Sequence, residues 1–207
     1  MTNVLEIFTD FVCPWCYLGE KHLQQAIRNR DVPVKYVYFP LHSETPFEGM
    51  TLEQLFAGRG MDVAASQEKL GLIMRNEGLC YGPRTHTYNS LGAQRLAKYI
   101  ESFDSDRGRA LGSQFRAGVF LAYFERGENI AKPEVLQEIC RQIGMLEFDV
   151  EIALSDSKAS AAVDADWTYC QEMNVSGVPA FQFGEHWVHG CRGVDALKSL
   201  LRVETEE

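Results

Sequence analysis

The chain has no long apolar run, no basic cluster, no internal repeat and no second close pair of cysteines. Each absence excludes a class of protein. No apolar stretch approaches the roughly 18 residues that a membrane-spanning helix requires, so no membrane partner is expected. The opening Met1-Thr2-Asn3-Val4-Leu5-Glu6 lacks a basic segment followed by a long apolar one, which is the mark of a secretory leader. The expected setting is therefore cytoplasmic and reducing. Lysine and arginine number 20 against 29 aspartates and glutamates, a formal charge of -9. With no cluster to grip phosphates, nucleic acid is excluded as a partner; the acidity serves solubility. Cys80, Cys140, Cys170 and Cys191 are scattered. In a reducing setting they do not form a disulfide framework, and each is expected to be a small buried apolar residue.

What remains is a chain of 207 residues, 45% apolar and 24% charged, which is the composition of a soluble globular protein. It is long enough to bury a core without disulfide staples, as one large domain or one domain with an insertion. Residues 4–9 read as a buried strand, and about 13–28 as a helix with Leu23, Ala26 and Ile27 at helical spacing. Residues 34–41, rich in Val and Tyr, read as a second strand. From about Thr51 to Gly144 the period is helical throughout. Leu96, Tyr99, Ile100 and Phe103 form one stripe, and Leu111, Phe115, Val119 and Ala122 a second. Leu136, Ile139, Cys140 and Ile143 form a third, opening near Pro133 despite poor caps at Ala131 and Lys132 and ending at Gly144. Residues 62–77 and 156–173 add two more helices. Residues 180–183 and 186–189 read as a hairpin around Gly184-Glu185, followed by a short helix over 194–202 and a frayed acidic tail, Glu204 to Glu207. The stripes are core packing rather than a cofactor box. The expected fold is α/β with one mixed sheet, built from residues 1–45 and 151–207, and a large α-helical insertion over 46–150.

The chemistry concentrates in Cys13-Pro14-Trp15-Cys16, which lies between the first strand and the first helix. Two cysteines at this spacing on a first helical turn can close into a disulfide and reopen. The first sulfur then meets unpaired backbone N–H groups and the positive end of the helix dipole, which favour the thiolate that attacks disulfides. Pro14 suits the first helical position. Two other readings of the pair stand beside the redox dithiol: half of a zinc site and two structural cysteines. Zinc wants four ligands, and only His186 and His189 on the hairpin offer themselves; those two read as surface residues of a half-exposed strand. Farther on, Ser176-Gly177-Val178-Pro179 precedes a strand. A proline there is tolerated at an edge or a bulge. It also suits a cis turn, which would expose the Val178 backbone to pair with an extended substrate chain.

The segment from Phe8 to Gly19, containing Cys13-Pro14-Trp15-Cys16, resembles the opening of the DsbA-like thioredoxin-fold oxidoreductases, specifically the cytoplasmic FrnE-like branch. The similarity continues through Asn89 to Leu96, Phe115-Arg116-Ala117, Phe124 to Gly127, and Asn174 to Phe181, and so covers nearly the whole chain. It implies a thioredoxin-like fold with a helical insertion, Cys13 as nucleophile, Cys16 as resolving thiol and Pro179 in cis facing them. Pro14 and Trp15 would line the approach to Cys13, and Val178 and Pro179 would hold the substrate. The implied activity is thiol–disulfide oxidoreduction or isomerisation on a protein or small molecule carrying a disulfide or dithiol. No metal or organic cofactor is required, and glutathione would serve as reductant. Periplasmic relatives carry histidine where this chain has Trp15. Tryptophan adds no positive charge, so a less depressed Cys13 pKa and a weaker oxidant are expected. The resemblance extends to kappa-class glutathione transferases and 2-hydroxychromene-2-carboxylate isomerases, so a glutathione-dependent transferase or isomerase of small aromatic compounds is the alternative. Those relatives typically carry serine at the first sulfur position and lack the second; this chain has both.

Overall fold

The computed structural model describes residues 4–103 and 105–202; the acidic tail at Glu204–Glu207 lies outside them. The chain divides into two units, one made of the residues up to Leu41 with those from Ala165 onward, the other of His42–Asp164. These boundaries differ from the expected 45/46 and 150/151. The second falls inside a continuous helix, where composition gives no sign of it.

In the first unit, strand β1 (Leu5–Thr9) leads into helix α1 (Pro14–Ile27) and strand β2 (Val34–Tyr38). β2 stops short of the expected Leu41, because Pro40 cannot donate to a ladder. The second half of the unit supplies part of α8 (Ser157–Glu172), then β5 (Ala180–Phe183), β6 (His186–His189) and α9 (Val194–Leu200). The strands order as β2-β1-β5-β6. β1 and β2 are parallel, with Ile7 opposite Tyr36, whereas β5 runs antiparallel to β1, with Phe8 opposite Ala180, and β6 antiparallel to β5. The sheet is thus mixed, as expected.

Alternation along the strands loads both faces. On one face Phe8, Val37 and Ala180 pack with Cys170 and Val175, flanked by Tyr169 and Trp187. Phe8 stacks on both of those rings, at centroid distances of 6.0 and 5.3 Å. On the other, α1 and α9 pack together, and α9 also packs on β5 and β6. The outward backbone of Tyr38 is covered by α8: its N–H donates to Asp166 Oδ2 at 2.8 Å, and its C=O accepts from Cys170 Sγ at 3.6 Å. An edge strand that would otherwise present free hydrogen-bonding groups is blunted there.

The second unit is mostly helical: α2 (Leu52–Leu55), α3 (Val63–Asn76), α4 (Leu91–Glu101), α5 (Asp106–Phe124), α6 (Pro133–Gln142), α7 (Val150–Leu154) and the first part of α8. The three aromatic and aliphatic stripes read from the sequence fall on α4, α5 and α6, except that Phe103 and Ile143 lie just past the ends of α4 and α6; their Leu96, Ile100, Phe115, Val119, Leu136 and Ile139 are buried. α6 opens at Pro133 although Lys132 makes no side-chain cap; proline at the first position supplies the start. α5 and α6 approach closely where Gly118 faces Ile139: a Cβ there would lie 2.7 Å from Ile139 Cγ2.

Two expectations for this unit are corrected. Helix does not run throughout, because β3 (Met50–Thr51) and β4 (His86–Thr87) form a short antiparallel ladder. Two residues are too few for a period-2 pattern to register. The sequence pattern also gives no sign of α7. Asp149 caps it through its side chain, but five residues are too few for a helical period to emerge.

Candidate active site

The end of β1 and the start of α1 build the site. After Thr9 the chain turns through Asp10-Phe11-Val12, and Cys13 takes the N-cap position with extended backbone angles (φ -90°, ψ 116°). Its own C=O accepts the N–H groups of Cys16 and Tyr17 at 3.0 and 3.2 Å. Pro14 stands in the first turn, where its missing N–H costs nothing. No side chain caps this helix, and the N–H groups of Cys16 and Trp15 act on the Cys13 sulfur instead. Cys13 is 4% exposed and Cys16 2%, whereas Trp15 between them is 40% exposed.

The two sulfurs are driven in opposite directions. The Cys13 thiol is pulled below its ordinary pKa, first by a hydrogen bond from the Cys16 thiol. Burial works against that pull, the N–H of Cys16 adds to it, the carboxylate of Asp10 opposes it, and the N–H of Trp15 adds again. The Cys16 thiol is pushed well above its ordinary value, first by burial and then by the Cys13 sulfur beside it. One thiol is thereby prepared to ionise while the other keeps its proton. Both are free cysteines here, so this is the dithiol form.

The turn before β5 reaches the Cys13 sulfur. The Val178–Pro179 peptide bond is cis. Cys13 Sγ donates to the Val178 C=O at 3.5 Å, which brings together two segments 165 residues apart in sequence. Pro179 itself does not open a sheet edge, because β5 lies between β1 and β6. Its C=O accepts the N–H of Gly190 at 2.8 Å, beyond the end of β6. Of the residues singled out from sequence, Cys13, Pro14, Trp15, Cys16, Val178 and Pro179 thus fall in one neighbourhood. His186 and His189 do not cover the motif; both are exposed on β6, with His189 stacked on Trp187. Among the described residues no group of three or more His, Cys, Asp or Glu side chains is arranged to hold a metal.

Two supporting residues carried no role in the sequence reading. Asp10 is fully buried; it accepts the Val12 N–H at Oδ1 (2.9 Å) and the Leu41 N–H at Oδ2 (3.3 Å), and its C=O accepts the Cys13 N–H (3.3 Å). A lone acidic residue inside the run Ile7 to Val12 was its signal, since a buried carboxylate needs hydrogen-bond partners and is seldom idle. Gly19 is the second. A Cβ there would sit 3.2 Å from Pro179 Cγ and 3.3 Å from Phe181 Cζ, so its smallness lets α1 lie close against the cis turn. A glycine inside a helix costs about 1 kcal/mol, which is itself a hint of close packing. The expectation that four outlying cysteines are buried holds for Cys140 and Cys170 but not for the others: Cys80 is exposed and Cys191 is partly exposed. Both lie in connecting segments rather than in a helix or strand.

This geometry coincides with a family assignment. Residues 4–202 match the model of the DSBA-like thioredoxin domain, so the chain belongs to that family, a thiol–disulfide oxidoreductase family. It is similar to the uncharacterized protein YwbO of Bacillus subtilis, 22% identical with the whole of both chains covered. Among solved structures, a probable DsbA oxidoreductase from Streptomyces coelicolor superposes with a TM-score of 0.84, at 23% identity, over 97% of this chain and 88% of that one. The cytosolic disulfide reductase DsbM from Pseudomonas aeruginosa, solved with GSH, superposes with a TM-score of 0.67, at 17% identity, over 99% of this chain and 100% of that one. At these identities the structural likeness establishes the fold, which is the thioredoxin-like α/β fold with a helical insertion.

Proposed function

We propose that the chain is a thiol–disulfide oxidoreductase or isomerase in which Cys13 attacks and Cys16 resolves. The opposite drive on the two sulfurs carries this reading. The Cys13 thiolate attacks a substrate disulfide; a bond forms from Cys13 to one substrate sulfur, and the other sulfur leaves as a thiolate. Cys16 then gives up its proton and attacks the Cys13 sulfur. The second substrate sulfur departs, and the Cys13–Cys16 disulfide remains. The substrate has gained the two electrons that the dithiol lost, and oxidation of a dithiol substrate runs the same steps in reverse.

The buried Cys16 is released to ionise once Cys13 is bonded and its negative charge is gone, because that charge is among the causes that hold the Cys16 proton. Trp15 and Pro14 line the approach, Trp15 offering an exposed apolar face. Val178 and Pro179 hold the incoming chain, with the Val178 carbonyl at the attacking sulfur. The partner is a disulfide- or dithiol-bearing protein or small molecule in a cytoplasmic setting. The exchange needs no metal or organic cofactor. Glutathione is the fitting reductant, given that a structural relative described as a cytosolic disulfide reductase was solved with it.

The test is insulin-disulfide reduction and refolding of scrambled ribonuclease by the parent chain and by Cys13→Ser and Cys16→Ser. Cys13→Ser is expected to lose activity in both assays. Cys16→Ser is expected to accumulate a mixed disulfide through Cys13 and to stop turning over. Unchanged turnover of Cys16→Ser that depends strictly on glutathione would instead establish the transferase or isomerase alternative.

A further inference from the structure

Cys191 is a further thiol of the first unit, outside the exchange just described. His22 stands on α1 one turn beyond Gly19, and its ring is buried. Cys191, in the segment between β6 and α9, is partly exposed and brings its Sγ to 3.3 Å from His22 Nδ1. With the ring proton on Nε2, Nδ1 accepts and the thiol donates. The base is fixed by burial on a helix, and the sulfur is the outer partner. A weak nucleophile in contact with a positioned base is the arrangement by which thiols are activated. The pair is also tied to the cis turn, because Cys191 directly follows Gly190, whose N–H donates to the Pro179 carbonyl. Cys80 is the internal contrast: it is exposed, and among the described residues it has no such histidine bond.

We propose that Cys191 and His22 form a second thiol site, at which Cys191 takes up half of a low-molecular-weight disulfide, such as oxidised glutathione, as a mixed disulfide. His22 Nδ1 accepts the thiol proton, and the Cys191 sulfur attacks one sulfur of the incoming disulfide. A Cys191–S–S bond forms, the original S–S bond breaks, and the other half leaves as a thiolate that collects the proton. Cys191 is oxidised and the departing half is reduced, so electrons and atoms balance. The proposal does not depend on the dithiol reading, because removing both motif sulfurs leaves this pair intact.

The experiment uses the full chain carrying Cys13→Ser and Cys16→Ser, exposed to oxidised glutathione, with loading at each remaining cysteine followed by peptide mass spectrometry. Cys191 is expected to load about tenfold or more faster than Cys80 despite its smaller exposure. Adding His22→Gln is expected to erase that lead and leave the Cys80 rate alone. If Cys80 loads first, or if folded His22→Gln loads Cys191 as fast as before, the proposal is overturned. Should His22→Gln fail to fold by circular dichroism, the order of Cys191 and Cys80 in the parent of that variant decides the matter.

Discussion

The mouth of α1 and the interior of α6 each bury a cysteine, and the two thiols differ in almost every chemical respect. Cys140 on α6 is fully buried, and burial pushes its pKa up to about 12. Cys13 is 4% exposed, yet its pKa falls below the ordinary value. Burial opposes ionisation at both places. The difference is what else each sulfur meets. Along a helix interior every backbone N–H is spent on a carbonyl one turn back, so nothing is left for a sulfur. At the helix mouth the N–H groups of Cys16 and Trp15 reach the sulfur, and a second thiol stands close enough to donate. The lesson is that depth of burial does not make a thiol inert; the absence of donors does.

Breaking this comparison at its stronger end has the largest expected effect. Cys13→Ser should abolish turnover in insulin reduction, whereas Cys140→Ser should leave turnover unchanged. Cys140→Ser should act on stability instead, because it places a hydroxyl in a fully buried apolar site. A loss of about 1–3 kcal/mol is expected from the midpoint of a urea titration. An effect of the same size on stability is expected from Gly19→Val. The added side chain must push on Pro179 and Phe181, at a cost of about 1–3 kcal/mol as overpacking. The same push moves the Val178 carbonyl away from Cys13, so turnover should fall together with stability.

The Asp10→Asn variant sharpens the comparison without removing a sulfur. Asp10 is a negative charge that opposes ionisation of Cys13. Neutralising it removes repulsion from the thiolate, so the Cys13 pKa must move further down, and alkylation at a fixed acidic pH must speed up. An upward move of the Cys13 midpoint in folded Asp10→Asn would show that Asp10 acts by holding the turn through Val12 and Leu41 rather than by its charge.

The parts of this molecule that were legible in the sequence are local ones. Cys13 and Cys16 lie three residues apart between a strand pattern and a helix pattern, so spacing alone placed them on a first turn. The stripes on α4, α5 and α6 repeat often enough for the helical period to stand out. Val178 and Pro179 came from a turn signal, but their arrival at Cys13 is a contact across 165 residues, which only the resemblance implied. Asp10 was hidden because a single carboxylate in an apolar run can be read as surface or as buried until its partners are known. Gly19 was hidden because a helical glycine says that something is close without saying what. The β3–β4 ladder and α7 are too short for any period to emerge, and Cys80 departs from the usual burial of cysteine because it lies in a connecting segment.

The central claim is that the α1 mouth turns a buried thiol into an acid while its neighbour stays protonated. Its most direct test is the pH dependence of iodoacetamide alkylation, followed residue by residue on the reduced, folded chain. The account predicts a Cys13 midpoint below that of an ordinary thiol, near 8.5, with Cys16 and Cys140 unreacted across the same range. A Cys13 midpoint at or above the ordinary thiol value, or Cys16 reacting ahead of Cys13, would contradict it.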